Sequence, residues 1–84
     1  MTYWVYILRC SDGTLYTGST KDIDERQRAH NLGKGARYTR GRIPVEVVYR
    51  EQCADKSAAL RREAEIKRMG REKKTRLLCA TASV

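Results

Sequence analysis

Tyr6, Tyr16, Arg26, His30 and Glu63 are the residues whose types and spacing can do chemistry together. Each has a plainer reading on its own. The two tyrosines sit in β-prone stretches where aromatic rings usually pack, Arg26 is where a charge is usually solvated, and a lone histidine is more often incidental. As a set they match one demanding reaction. Hydrolysis of a phosphodiester needs a base to activate water, a cation to stabilise the phosphorane, and a metal at the leaving oxygen. A tyrosine or histidine, an arginine and a carboxylate-bound ion supply those three parts.

Glu63 is the most informative of the five. On a helix turning about 100° per residue, Ala59, Leu60, Ala64 and Ile66 define an apolar arc. Glu63 falls in its middle, with Lys67 one turn further on the same side. A carboxylate facing a core is costly unless it is paired or bound to a cation. One reading is an i,i+4 pair with Lys67 at the margin of the core. The other is a lone oxygen ligand for a hard ion such as Mg²⁺, which takes few protein carboxylates and keeps several waters.

The elements that must position these residues alternate along the chain. Tyr3–Cys10 is β-rich and apolar at both parities, as in a central strand. Ser11-Asp12-Gly13 signals a turn into a second strand, Thr14–Gly18. A two-residue loop pairs Arg9 with Tyr16 and sets Tyr6 and Tyr16 on opposite faces. A three-residue loop, with Gly13 left-handed, pairs Leu8 with Tyr16 and puts Tyr6, Leu8 and Tyr16 on one face. Both stay open.

Asp22 followed by Glu25 is a helix start, and the helix runs from about Ile23 to Asn31. Ile23, Arg26, Gln27 and His30 share its inward stripe, while Asp24, Glu25 and Arg28 face out. Gly33–Arg42 reads as a loop ended by Pro44, and Val45–Glu51 as an alternating third strand. Asp55 is placed to cap a helix from about Lys56 to Met69, with Gly70 as its stop. A short helix near Arg71–Cys79 docks Leu77 and Leu78. The expected fold is α+β, a three-stranded antiparallel sheet flanked by helices, in one domain over residues 1–84.

Charge and composition narrow the classes. The chain has 84 residues, 40% of them apolar, and a formal charge of +8. The excess leans toward the C-terminal third: nine Lys/Arg against four acids after residue 53, nine against six before it. Lys34, Arg37, Arg40 and Arg42 form an acid-free run with glycines and Tyr38. Such a balance favours a polyanion, which releases counterions from its phosphates on binding. No apolar run approaches the roughly 18–20 residues that span a bilayer, and Tyr3–Cys10 lacks the leader and cleavage site of a signal peptide. Cys10, Cys53 and Cys79 are odd in number, with no CxxC pair. They imply reduced thiols and a cytoplasmic setting rather than a zinc site or a disulfide frame.

Trp4-Val5-Tyr6 followed by Tyr16-Thr17-Gly18 resembles the paired tripeptides of the GIY-YIG nuclease superfamily. Arg26 stands ten residues after Tyr16, as the catalytic arginine does in excision-repair and homing members, and His30 four further on, as in restriction-enzyme members. Ala59-Leu60-Arg61-Arg62-Glu63 is similar to the later motif whose glutamate binds metal. Gly35-Ala36-Arg37-Tyr38-Thr39 resembles the loop of small stand-alone bacterial members. The likeness runs from Tyr3 to about Leu78. It departs at Trp4, where the family has glycine, at Thr17, where it has isoleucine, and at Ser19, where some relatives have lysine.

The resemblance implies a role for each residue. Tyr6 is the base or water-orienting hydroxyl, Tyr16 lines the phosphate site, and Arg26 holds the scissile phosphate. His30 orients or relays a proton, and Glu63 binds a single Mg²⁺ or Mn²⁺. It implies an endonuclease acting on nucleic acid, with DNA the expected polymer and repair or recombination the expected setting. Lys34, Arg37, Tyr38, Arg40 and Arg42 are then the binding segment, unless a partner protein supplies target choice. Two other classes remain: a nucleic-acid-binding module with little turnover, and an interaction protein whose basic surface serves a protein partner.

Overall fold

The turn after the first strand decides which side chains share a face. Residues 2–82 are described in the computed structural model, with side chains described to Leu78, so the Cys79 thiol lies outside the described side chains. β1 (Tyr3–Arg9) and β2 (Leu15–Thr20) pair antiparallel with Leu8 opposite Tyr16, which selects the three-residue loop. Gly13 takes a φ of 85°, a left-handed value at which a side chain would be strained. Tyr6, Leu8 and Tyr16 therefore share one face.

The third strand, β3 (Glu46–Cys53), joins the other side of β1 and gives the order β2-β1-β3. Its register slips by one residue: Ile7 pairs with Tyr49 and Leu8 with Val47, which leaves Val48 as an extra residue in a β-bulge. The simple alternation expected of this strand therefore fails at Val48. The bulge sends Val47 to one face of the sheet and Tyr49 to the other.

Each face has its own core. Val5, Ile7 and Tyr49 pack with Ala59 and Ile66 of α3 (Lys56–Lys67), and Leu77 and Leu78 of α4 (Arg71–Ala82) close over them. Tyr6, Leu8, Cys10 and Val45 pack with Ile23 of α1 (Ile23–Asn31) on the opposite face. Asp22 accepts the Glu25 N–H at 3.0 Å and Asp55 the Ala58 N–H at 2.8 Å, so both helices start where an aspartate satisfies an orphan donor.

Side chains of α1 then complete the outer edge of β3. Asn31 bonds both the N–H and the carbonyl of Val45, and Gln27 accepts the Val47 N–H. These bonds fix the rotation of α1 and hence where Arg26 and His30 point.

Two further expectations need correction. Gly33–Arg42 is not all loop, since Arg37–Arg40 forms one helical turn, α2. A single turn is too short to leave a periodic pattern. On α3, Leu60 and Ala64 are exposed, and only Ala59 and Ile66 of the expected arc are buried. The helix rides closer to the sheet on its Ala59 side, and Arg62 and Glu63 take the half-buried flank. Among the described residues no helix is long and apolar enough to cross a membrane.

Thr17, opposite Ile7, is 2% exposed, and its hydroxyl has no hydrogen-bond partner among the described residues. A buried orphan hydroxyl is destabilising, and valine has the same shape without it. Thr17→Val is expected to add about 1 kcal/mol of stability, which raises Tm by about 4–8 °C in a domain of this size. Thermal melts check it. An unchanged or lower Tm would mean that the hydroxyl finds a partner in solution.

Candidate active site

One cleft of about 280 Å³ gathers Tyr6, Tyr16, Arg26, His30 and Glu63. They come from β1, β2, α1 and α3, which approach the edge strand β2 from both faces of the sheet. Gly18, Ser19, Lys34, Gly35 and Ala36 complete the lining. A larger groove, lined in part by Lys21 and Lys56, adjoins the cleft and shares Ser19 and Arg26 with it.

The floor of the cleft is a string of rings. The Tyr6 hydroxyl lies 3.3 Å from His30 Nε2, and His30 Nδ1 lies 2.7 Å from Thr39 Oγ1. The Tyr16 ring stands 5.5 Å from that of His30, and Tyr38 stacks on Tyr16 at 5.8 Å. Burial pushes the Tyr6 hydroxyl well above the ordinary tyrosine pKa, reinforced by Tyr16 and Glu63 and opposed by Arg26. His30 is pushed the other way, first by burial and then by the Arg26 charge, so its neutral form is favoured. A buried tyrosine and a neutral histidine in contact form a donor–acceptor pair.

Glu63 makes the pair with Lys67 that was one of its two expected readings, and it leaves its other oxygen toward the cleft. Its Oε2 lies 2.8 Å from Lys67 Nζ, the i,i+4 pair, while its Oε1 accepts from Ser19 Oγ at 2.7 Å at the edge of the cleft. Hydrogen bonding to Glu63 raises the pKa of Lys67, and the carboxylate side chain is only 17% exposed.

The donor chemistry suits one hard cation. An ammonium already stands at Oε2, so positive charge is favoured there, and Lys67, half-exposed on a flexible stem, can yield the position. Among the described residues no three His, Cys, Asp or Glu side chains converge, so a multi-ligand cage has no donors.

The basic segment is partly engaged. Lys34 lines the cleft, and Arg37 and Arg40 are exposed on α2 without an ion pair among the described residues. Arg42 is bound: it pairs with Asp12 at 3.0 Å, donates to the Tyr38 carbonyl, and lies 4.3 Å over the Tyr38 ring. Tyr38 is thereby held between Tyr16 and Arg42.

Four residues at the site stood in or beside the family-like motifs but were given no role from the sequence: Gly18, Ser19, Gly35 and Thr39. A Cβ at Gly18 would come 2.5 Å from the Tyr6 hydroxyl, and one at Gly35 would come 2.2 Å from His30 Nδ1. Both glycines are imposed by close approach. A glycine inside a strand, as at Gly18, is a signal of such an approach; Ser19 was marked only as a departure from the lysine of some relatives, and Thr39 only as the end of the loop motif.

Residues 2–76 match the GIY-YIG catalytic domain. The chain is 53% identical over 77 residues to UPF0213 proteins of Staphylococcus aureus, among them those of strains Mu3 and N315, covering 92% of this chain and 94% of theirs. It is similar to the solution NMR structure of a UPF0213 protein from Bacillus halodurans, with a TM-score of 0.62 and 46% identity over 95% of this chain and 85% of that one. A second NMR structure, of a protein from E. faecalis, gives a TM-score of 0.66 at 32% identity, over all of this chain and 90% of the other.

Proposed function

The chain belongs to the GIY-YIG catalytic domain family, a family of nucleases, and from that premise we propose that its cleft hydrolyses phosphodiester bonds of nucleic acid, DNA first, with one divalent metal. The observation that carries the reading is the gathering of Tyr6, Tyr16, Arg26, His30 and Glu63 around one cleft beside exposed cations.

Arg26 holds the scissile phosphate through its two-pronged guanidinium and faces the charge that grows on it. Tyr16 and Lys34 line the approach of that phosphate. The Tyr6 hydroxyl takes a proton from the attacking water while its own proton passes to His30 Nε2. Burial makes tyrosine a reluctant base, and His30 is the acceptor that relieves this. Glu63 would hold Mg²⁺ or Mn²⁺, which supplies Lewis-acid stabilisation of the leaving oxygen. Free thiols at Cys10 and Cys53 support a reducing, cytoplasmic compartment.

A second reading, a binding module with little turnover, draws support from the raised pKa of Tyr6. One experiment separates the two. Labelled duplex DNA, branched DNA and RNA are incubated at low salt with Mg²⁺ or Mn²⁺, and cleavage that EDTA abolishes is expected. Salt-sensitive binding without cleavage selects the module instead.

Binding makes its own prediction. Changing Lys34, Arg37 and Arg40 to glutamine is expected to leave Tm nearly unchanged, because none forms an ion pair among the described residues. Arg42 is left alone because it anchors the segment to Asp12. The slope of log affinity against log salt for duplex DNA should flatten by about 0.9 for each phosphate that is no longer neutralised. An unchanged slope would move the binding surface elsewhere, with Arg71–Arg76 the next candidate.

A further inference from the structure

The histidine of the cleft is held by hydrogen bonds whose directions can be assigned by counting protons. Thr39 Oγ1 lies 2.9 Å from the Ala36 carbonyl oxygen. A carbonyl only accepts, so the single hydroxyl hydrogen of Thr39 points there. The same Oγ1 lies 2.7 Å from His30 Nδ1, and with its hydrogen engaged it can only accept. Nδ1 therefore carries a proton. In the neutral ring Nε2 is then bare, and it faces the Tyr6 hydroxyl, which donates to it at 3.3 Å.

The surroundings leave this arrangement little freedom. His30 is 1% exposed and Thr39 is fully buried, so water cannot easily replace either partner. Gly35 lies so close to Nδ1 that no side chain fits between the segment and the ring. Thr39 is itself held by the turn it belongs to: its N–H bonds the Ala36 carbonyl and its own carbonyl accepts the Arg42 N–H.

We propose that Thr39 is a positioning residue that locks His30 as the Nδ1–H tautomer, so that a bare Nε2 faces Tyr6 and can receive its proton. The purpose of this lock rests on the phosphodiesterase reading; its test does not. In the step it serves, the Tyr6 O–H bond breaks and an Nε2–H bond forms, while Tyr6 gains the proton given up by water. His30 becomes imidazolium and keeps its Nδ1–H on Thr39. In the opposite tautomer, Nε2–H would point a donor at Tyr6, and Nδ1 would set a lone pair against the oxygen of Thr39. Neither the acceptor nor the lock would then exist.

The chain has a single histidine, so long-range ¹H–¹⁵N spectra read its two ring nitrogens without ambiguity. At neutral pH the wild-type ring is expected to carry its proton on Nδ1. Thr39→Val keeps the shape and removes the acceptor. The proton should move largely to Nε2, and single-turnover cleavage should fall by about 10²-fold. Thr39→Ser restores the oxygen and should restore both readouts. A wild-type ring protonated on Nε2, or a Thr39→Val spectrum that matches wild type, overturns the assignment. If Thr39→Val does not fold, the wild-type and Thr39→Ser spectra still decide it. A wild-type protein that cleaves nothing, yet whose tautomer responds to Thr39→Val, sinks the phosphodiesterase reading and leaves the lock standing.

Discussion

Arg26→Ala is expected to slow single-turnover cleavage by about 10³–10⁵-fold, the range seen when an arginine that stabilises a phosphoryl transition state is removed. The loss should be the same at every metal concentration, because the guanidinium meets the phosphate directly and is not a ligand of the ion. Folding should hardly change. Arg26 is exposed on α1 and forms no ion pair among the described residues, and the helix is fixed instead by Ile23, Gln27 and Asn31.

Its charge also acts on both partners of the proton relay, in opposite senses. It favours ionisation of Tyr6 and disfavours protonation of His30. Removing it should therefore disturb the pH profile as well as the rate. Arg26→Lys keeps the charge and loses the planar fork, so it should recover only part of the activity. Unreduced cleavage by Arg26→Ala, with Tm beside it, would remove this residue from the chemistry.

Much of this was legible in the residues, for identifiable reasons. The aspartates at 22 and 55 mark helix starts because a carboxylate beside an unpaired N–H is a local, chemical signal. The choice between two hairpin loops was not local. It turned on whether Gly13 lies inside the loop as a left-handed residue, and packing of Tyr6, Leu8 and Tyr16 against Ile23 decides it. The Val48 bulge is likewise settled by two cores competing for one strand. The single turn Arg37–Arg40 is held from outside, by Thr39 against His30, and no property of its four residues announces it.

The site shows the same division. Glu63 stood out because a charge in an apolar arc violates a pattern, even though Leu60 and Ala64 of that arc proved exposed. Thr39 violates nothing. A buried threonine beside a histidine nine residues away becomes visible only when hydrogen-bond directions are traced through both.

Glu63→Gln is expected to raise the metal concentration needed for half-maximal cleavage by at least about 10–100-fold, the loss typical even of residues that merely support a ligand. Glutamine keeps the length and shape of the side chain but replaces one oxygen by an amide donor. That donor must face either Ser19 Oγ or Lys67 Nζ, which already stand at 2.7 and 2.8 Å as donors to the carboxylate. That position can no longer accept. Excess Mn²⁺ should restore part of the rate, since the remaining carbonyl is still a hard ligand. Lys67→Ala makes the opposite forecast: it withdraws a cation competing for Oε2 and should lower the metal requirement. If the carboxylate serves only its pair with Lys67, both variants shift Tm and neither shifts the metal curve. Single-turnover cleavage against metal concentration, with melts of each variant, separates the two. Unmoved metal curves in both variants would retire Glu63 as the ligand, leaving it as the clasp that ties α3 to β2 through Ser19.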